Sequence, residues 1–287
     1  MGKGKGPGRR AGEKGLGEEW EKERPAKQFL ETPTPPQELR TLVPHAPYTV
    51  HPEVLDRVFE SITPRELPWA IHLAESAWEQ TILGSGTGEG AAFLERFGGD
   101  PKAFVGKRSM VERLDDRGVL DARALLVHGN DLTDDECDRI AESGAAVAFC
   151  PRSFEYFGHQ NHPAAKLRDR GIPLLLGTDG AISAGDLNLL EEVRTAHRLV
   201  PEIEPIEWWR AVTTTPRELW GDRWGTGLVE PGAKADLVRW DLSEVEGIER
   251  WASEIPAADA LRDALAGAKA QGVWIDGRGV VRNRLGA

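Results

Sequence analysis

Short apolar runs separated by polar loops and amphipathic stretches recur along the central part of the chain. Each run is too short for a helix and apolar throughout, which is typical of parallel strands buried on both faces. The predicted strands are Thr41–Val43, Trp69–Leu73, Ala124–Val127, Ala145–Phe149 and Ile172–Leu176. Helical patterns occupy the stretches 52–61, 90–97, 134–144, 163–171, 185–200 and 206–221. This alternation of strand and helix predicts a parallel α/β sheet.

The N-terminal stretch lacks this alternation. It begins with glycine and basic residues and ends in a proline cluster, so residues 1–38 are predicted to be a disordered segment and linker. The α/β pattern then occupies residues 39–222.

The pattern of glycine and apolar residues changes again at residue 223. Glycine spacing and apolar alternation predict hairpins within 225–242 and within 272–285, the second around an Asp276-Gly277 turn. The stretch 257–270 between them has a helical pattern. Residues 223–287 are therefore predicted to form a small β-rich segment.

Composition narrows the range of partners. A 287-residue chain with 40% apolar residues can bury a proper core, and its net charge of −11 disfavours nucleic acid and anionic membranes. We therefore expect a small-molecule substrate, bound by a single chain or a homo-oligomer.

Cys137 and Cys150 fall in a predicted helix and next to a predicted strand, which favours reduced thiols and a cytoplasmic location. No apolar run approaches the length of a membrane span, and no signal peptide pattern is present.

Polar residues stand where three of the apolar runs stop. His72, His128 and Asp179 each occupy such a position, and the C-terminal ends of parallel strands meet at one mouth. Imidazole and carboxylate groups together suit zinc or iron. Glu75 follows His72 by three residues, where a general acid or base could face the same mouth. Taken singly, each of the four has a structural alternative, a hydrogen-bonded strand end or a glutamate at a helix start.

The motifs "PHAPYTV", "HLAES", "LLVHG", "CPRS", "GTDG" and "GLVEPGAKADLV" appear in this order along the chain. Over residues 40–284 the sequence resembles the metal-dependent amidohydrolase superfamily, in the branch of cytosine, adenosylhomocysteine and aminofutalosine deaminases and triazine chlorohydrolases. The resemblance implies a TIM-type (β/α)₈ barrel with a small β-sandwich.

The resemblance also implies roles for the four mouth residues. His72 corresponds to a metal ligand on the fifth strand and Glu75 to the proton shuttle. His128 corresponds to the sixth-strand histidine that contacts the bound water or the substrate. Asp179 corresponds to the eighth-strand residue that acts as both metal ligand and base.

Three further residues are implied as substrate contacts. His45 lies in the PHAPYT segment, and Arg152 and His159 lie in "CPRSFEYFGH". For Arg152 and His159 the alternative is a loop held by proline and aromatic packing.

The family pattern is incomplete here. The first family strand carries two metal-binding histidines separated by one residue, whereas none of the seven histidines of this chain are so spaced. Five predicted strands also fall short of eight, which indicates an incomplete barrel of about strands four to eight. We expect a weakened site for zinc or iron. A truncated gene model, a fragment completed by another polypeptide and a decayed copy would all produce this pattern.

The implied activity is hydrolytic deamination of a purine-like or related heterocyclic amine by the complete enzyme. The alternative is an inactive remnant that acts by association or has no function.

Overall fold

The computed structural model describes five stretches of the chain. They are residues 29–32, 40–106, 108–221, 227–245 and 267–282. Packing divides the chain into two compact units, Met1–Leu42 and Val43–Ala287. In the first unit residues 29–31 are helical, and most of the predicted N-terminal disordered segment and linker lies outside the described residues.

The second unit contains a parallel four-stranded sheet. Its strands lie side by side in chain order, and each pairs in parallel with the next. The strands are β1 (Trp69–Leu73), β2 (Ala124–His128), β3 (Ala146–Phe149) and β4 (Leu174–Leu176). Because all four run the same way, their C-terminal ends lie along one edge of the sheet.

Helices precede, connect and follow these strands. In chain order they are α1 (Pro52–Ile62), α2 (Ala77–Ser85), α3 (Glu89–Arg96), α4 (Met110–Asp116), α5 (Asp134–Ser143), α6 (Pro151–Tyr156), α7 (Ala164–Asp169), α8 (Ala181–Ala184), α9 (Leu189–Leu199), α10 (Pro205–Ala211) and α11 (Thr214–Trp220). Short 3₁₀ turns span Thr63–Arg65 and Pro101–Phe104. None of the helices among the described residues is long and apolar enough to cross a lipid bilayer.

The strand predictions hold at four of five positions. The last strand begins two residues later than predicted, at Leu174, because Pro173 has no N–H to donate to a ladder. All four residues of β3 are buried, as expected of a central parallel strand. The core beside β3 and β4 is formed by Phe149 together with Val193 of α9 and Trp208 of α10, which fixes the helices that follow the sheet.

The predicted strand Thr41–Val43 is wrong. This segment has no regular secondary structure, and Pro44 and Pro47 follow it. Pro44 and Pro47 have no N–H to donate to a neighbouring strand, so this segment cannot form a regular ladder with β1. Its backbone contact with β1 is a hydrogen bond from the His72 N–H to the His45 carbonyl at 2.9 Å.

Local signals place most helix ends as predicted. Thr133 begins α5 through a capping box, and Gly144 ends it with a positive φ of 76°. The stretch 206–221, predicted to be helical, forms two helices, α10 and α11. Pro216 explains the break, because a proline cannot donate to the carbonyl four residues before it.

The C-terminal residues form a second sheet. It is antiparallel in the order β5 (Leu237–Asp241), β6 (Lys269–Ile275) and β7 (Arg278–Arg282). The predicted Asp276-Gly277 turn joins β6 to β7, with φ of 50° and 74°. The predicted hairpin within 225–242 is wrong, because residues around Pro231 form turns and β5 pairs with β6 instead. Most of the predicted helix 257–270 lies outside the described residues.

Candidate active site

Three ligand-type side chains converge at the C-terminal edge of the parallel sheet. His72 lies near the end of β1, His128 ends β2, and Asp179 follows β4 by three residues. One ligand atom of each residue lies within 4.8 Å of the ligand atoms of the other two. Among the described residues, these three side chains form a group that could hold a metal ion. The chain path explains the convergence, because parallel strands deliver their last residues to the same edge.

The backbone is left-handed at all three strand ends. Ala74 after β1 has φ of 51°, His128 has 76° and Asp179 has 56°. Non-glycine residues rarely adopt this region, and each such residue costs of order 1–3 kcal/mol unless its surroundings hold it. At Ala74 the buried Glu79 side chain provides that hold, because it accepts the Ala74 N–H at 2.9 Å.

His72 is oriented by the segment before α1. Its Nδ1 lies 2.8 Å from the His45 carbonyl oxygen, which also accepts the His72 backbone N–H at 2.9 Å. A carbonyl can only accept, so Nδ1 carries the proton and donates it. The Nε2 lone pair of His72 is thereby available to a cation, which is the arrangement that metal-bound histidines use.

His128 is almost fully buried, with 1% of its surface exposed. Its Nε2 has no hydrogen-bond partner within the described part of the chain and lies 3.6 Å from Glu75 Oε1. Burial, reinforced by the neighbouring His72, lowers the pKa of His128 to about 4, although Asp179 opposes this. His128 is therefore a neutral imidazole with one unsatisfied buried nitrogen, which is costly unless a ligand meets it.

Asp179 is held by two hydroxyl groups. Ser153 Oγ donates to its Oδ2 at 2.7 Å, and Ser183 Oγ donates to the same oxygen at 3.0 Å. Partial burial alone would raise the pKa of Asp179, but the two hydroxyl donors and the nearby histidines hold it below its ordinary value. Asp179 is thus a carboxylate with Oδ2 engaged.

Glu75 reaches the same space from the turn after β1. Tyr48 Oη donates to its Oε2 at 3.5 Å, and Asn130 Nδ2 donates to its backbone carbonyl at 3.0 Å. Burial raises the pKa of Glu75, and Asp179 adds to this, while His72 and Tyr48 oppose it. Burial also raises the pKa of the Tyr48 hydroxyl. A partly buried carboxyl with a raised pKa can donate a proton as well as accept one.

A buried glutamate fixes the turn that carries Glu75. Glu79 is 3% exposed and accepts two consecutive backbone N–H groups, from Ala74 at 2.9 Å and from Glu75 at 3.0 Å. The Ala74 carbonyl accepts from the Asn130 N–H at 3.0 Å on the other side. The left-handed conformation of Ala74 is therefore held by hydrogen bonds to both its N–H and its carbonyl.

The three converging donors fit a divalent cation. Two imidazoles and one carboxylate form the type of ligand set that zinc and iron use. The unpartnered Nε2 of His128 is the observation that favours an occupant, since a buried nitrogen otherwise lacks compensation for lost hydration. The described residues can therefore hold a divalent metal ion.

The three predicted substrate contacts lie in different environments. The His45 ring centroid lies 4.9 Å from that of His72, so His45 borders the site. The Arg152 guanidinium is engaged by Asp186, with Nη1 2.6 Å from Oδ1. His159 packs 5.3 Å from the Phe154 ring.

Sequence reasoning did not identify several residues that hold the site. Tyr48 and Ser153 lie inside the motifs "PHAPYT" and "CPRS", where a search for hydroxyl groups would have found them. Glu79 follows Glu75 by four residues, the spacing of one helical turn. No pattern marked Ser183 or His162. Their contacts depend on tertiary packing.

Both cysteines have free thiols and are buried, as predicted. Burial raises the pKa of Cys150, with the nearby Asp179 carboxylate adding to the shift. The thiol is therefore protonated and is a poor ligand or nucleophile.

The sequence model of the amidohydrolase family matches residues 36–280. A 5-methylthioadenosine/S-adenosylhomocysteine deaminase of Nitratidesulfovibrio vulgaris (strain DSM 19637 / Miyazaki F) is 34% identical over 214 residues, which are 72% of this chain and 44% of that protein. The aminodeoxyfutalosine deaminase of Deinococcus radiodurans is 30% identical over 213 residues, 70% of this chain and 50% of that protein. This chain thus spans about half the length of the curated relatives it matches.

Solved structures are also similar to this chain. An adenosine deaminase from Xanthomonas campestris with bound zinc has a TM-score of 0.63 and 28% identity, covering 85% of this chain and 52% of its own. Helicobacter pylori aminofutalosine deaminase in complex with methylthio-coformycin shares the fold, with a TM-score of 0.72 at 19% identity over 93% of this chain and 63% of its own. Since the family match covers well over half of the residues, the chain belongs to the amidohydrolase family.

Proposed function

We propose that this chain carries part of the active site of a metal-dependent deaminase that hydrolyses a C–N bond of a purine-like or related heterocyclic amine. The observation that carries the proposal is the convergence of His72, His128 and Asp179, with the Glu75 carboxyl 3.6 Å from His128 Nε2. The deaminase names of the curated relatives support the reaction class.

In this proposal β1 to β4 are strands five to eight of a (β/α)₈ barrel. Residues 39–222 form that partial barrel and residues 223–287 contribute to a β-sandwich. The parallel order of the four strands and the fold shared with the Helicobacter enzyme support this assignment.

The metal is zinc or iron, held by His72 Nε2 and the Asp179 carboxylate, and His128 Nε2 faces the reacting group of the substrate. Such an ion, when bound, supplies Lewis-acid chemistry that makes water a stronger acid. The zinc bound by the Xanthomonas relative supports zinc as the first ion to test. Two protein donors form a weaker site than a complete cage, so binding by this chain alone is weak.

Asp179 and Glu75 carry out the proton transfers of the proposed reaction. Asp179 accepts a proton from the attacking water, because the hydroxyl donors Ser153 and Ser183 leave its second oxygen available. Glu75 donates a proton to the ring nitrogen as the new C–O bond forms. The proton on Asp179 then passes to the departing amine, which leaves as ammonia when the C–N bond breaks, and the remaining hydroxyl proton returns to Glu75 as the C=O bond forms. His128 Nε2 donates a hydrogen bond to the oxygen on which charge develops.

Substrate contacts are proposed for His45, Arg152 and His159. His45 has the best support, because its ring lies beside that of His72. Arg152 serves a substrate only if that substrate competes with Asp186 for the guanidinium.

A second candidate is an inactive amidohydrolase remnant that acts by association. The absence of two histidines separated by one residue favours it, because the family's first-strand ligands then have no counterpart in this sequence.

The deciding experiment joins residues 40–282 to the N-terminal portion of the Nitratidesulfovibrio relative. We expect the zinc-loaded fusion to release ammonia from 5-methylthioadenosine or a related purine nucleoside, and Asp179→Asn to abolish release. The chain alone serves as the control and should show neither tight zinc nor turnover. A folded, zinc-loaded fusion inactive on all adenine, guanine and cytosine derivatives tested would favour the remnant.

A further inference from the structure

His162 lies beneath the site and takes no part in the chemistry proposed above. It is 8% exposed, its ring stacks on Phe149 with centroids 3.7 Å apart, and it meets Phe154 edge to face at 5.5 Å. A phenylalanine could fill this apolar slot. An imidazole there calls for a reason beyond packing, because burying a polar ring is unfavourable unless both nitrogens find partners.

Both nitrogens of His162 have backbone partners. The Ala164 N–H donates to Nδ1 at 3.0 Å, so Nδ1 is the unprotonated nitrogen. Nε2 therefore carries the proton and donates it to the His128 carbonyl oxygen at 2.9 Å. The contact pattern thus specifies one tautomer and one direction of donation.

The accepting carbonyl is that of His128 itself, in the peptide that joins His128 to Gly129. His128 and Gly129 have consecutive positive φ angles of 76° and 63°, which glycine adopts at little cost and a residue with a side chain adopts uncommonly. The other end of the same peptide is held as well, because the Gly129 N–H donates to the Leu73 carbonyl at 2.9 Å. The peptide between the two residues is thus fixed at both ends, at one of them by His162.

We propose that His162 is a positioning residue that holds His128 in its left-handed backbone conformation and so keeps His128 Nε2 facing His72, Asp179 and Glu75. It does so by donating Nε2–H to the His128 carbonyl. The catalytic use of His128 rests on the proposed function, whereas the backbone relationship does not.

A matched set of substitutions separates the hydrogen bond from the packing. His162→Gln places an amide N–H near the former Nε2 and can still donate to the His128 carbonyl. His162→Asn reaches only the former Nδ1 position, so it keeps the Ala164 contact and loses the one to His128. His162→Phe keeps the stack on Phe149 and loses both hydrogen bonds. His197→Phe is the control, because His197 Nδ1 also lies near a backbone carbonyl, that of Ile203 at 3.4 Å, but on α9.

The first measurement is NMR on the metal-free chain. Positive φ brings the amide proton close to the Hα of the same residue and gives a strong intraresidue cross-peak. We expect this cross-peak for His128 in the wild type, His162→Gln and His197→Phe, and its loss in His162→Asn and His162→Phe. If His162→Phe fails to fold, the Asn and Gln pair decides. A strong His128 cross-peak in folded His162→Asn would overturn the proposal, whether or not the protein is a deaminase.

The second measurement uses the fusion protein. We expect His162→Asn to lower kcat by about tenfold with little change in KM or zinc content, because such supporting partners commonly contribute 10- to 100-fold. His162→Gln should recover most of this loss. Since His162 acts through His128, adding His162→Asn to His128→Ala should cause no further loss. Additive losses would show that His162 does not act through His128. An inactive fusion with the expected NMR pattern would contradict the proposed function and leave the positioning role standing.

Discussion

His128 Nε2 and Glu75 Oε1 lie 3.6 Å apart, across the space that His72 and Asp179 also border. The distance is longer than a hydrogen bond, and neither atom has the other as a firm partner. An oxygen or nitrogen of a substrate placed between them could bond to both. The pair therefore marks where a reacting group would sit.

Glu75→Gln should separate proton transfer from metal binding. The amide cannot supply an acidic proton, so turnover of the fusion should fall by roughly 10² to 10⁴, while zinc content stays near that of the wild type. His72→Ala should instead lose zinc, and His128→Ala should retain most of it. Elemental analysis and ammonia release on the same samples test this division. Loss of zinc in Glu75→Gln equal to that in His72→Ala would assign Glu75 to the ligand set.

Glu79→Gln should destabilise the chain although it changes few atoms. One of two backbone N–H groups, those of Ala74 and Glu75, would then face an amide NH₂ in place of a carboxylate oxygen. Leaving a buried donor unsatisfied costs about 1–3 kcal/mol of unfolding free energy. Urea denaturation measures the loss. Glu89→Gln is the matched control, since Glu89 is exposed at the start of α3. Equal stability of both variants would mean that the turn does not depend on Glu79.

Ser153→Ala should raise the pKa of Asp179, because it removes a hydroxyl donor that favours the charged carboxylate. The lowered pKa of Asp179 adds stability above its unfolded value of 3.8, and this contribution disappears as the pH falls through the folded pKa. Ser153→Ala should therefore shrink that contribution. Carbon-13 NMR titration of the Asp179 carboxyl group in the metal-free chain measures the shift. Ser183→Ala should act in the same direction, and an unchanged titration in the double variant would contradict this account.

Glu192 should make stability depend on pH. Its carboxylate is fully buried, accepts the Arg152 backbone N–H at 3.0 Å, and burial raises its pKa to about 7 from the ordinary 4.5. A raised folded pKa means that stability is fully present below pH 4.5 and is lost as the pH rises through 7. Glu192→Gln removes this loss. The unfolding free energy of the variant relative to wild type should therefore rise by about 2–3 kcal/mol between pH 4.5 and 8. A difference that stays flat with pH would show that Glu192 does not titrate in this range.

The sequence predicted those parts of the fold that depend on local patterns. Apolar runs such as Trp69–Leu73 became strands, and a turn signal at Asp276-Gly277 became a turn, because burial and backbone preference act there in the same direction. The strand prediction for Thr41–Val43 was wrong because this segment forms no strand. An apolar run alone cannot show whether a neighbouring strand is available to pair with it.

The sequence likewise predicted only part of the candidate site. His72, His128 and Asp179 follow from their places at strand ends, since topology brings such positions together. The positions of Ser153 and Glu79 carry weak sequence signals, a hydroxyl inside the "CPRS" motif and a spacing of one helical turn from Glu75, whereas no pattern marks His162. Ser153 bonds to the Asp179 carboxylate and His162 to the His128 backbone carbonyl, partners that are distant in sequence, and a linear pattern carries no record of such contacts.

Each strand of the parallel sheet after β1 pairs with the strand synthesised just before it. During translation the units can therefore be added one after another, each docking on an edge already present in the nascent chain. His72 and His128 would be in place first, and the carboxylate of Asp179 would join them only when β4 leaves the ribosome. A cation that needs all of these groups cannot be captured until then, so metal loading would follow folding and would not guide it.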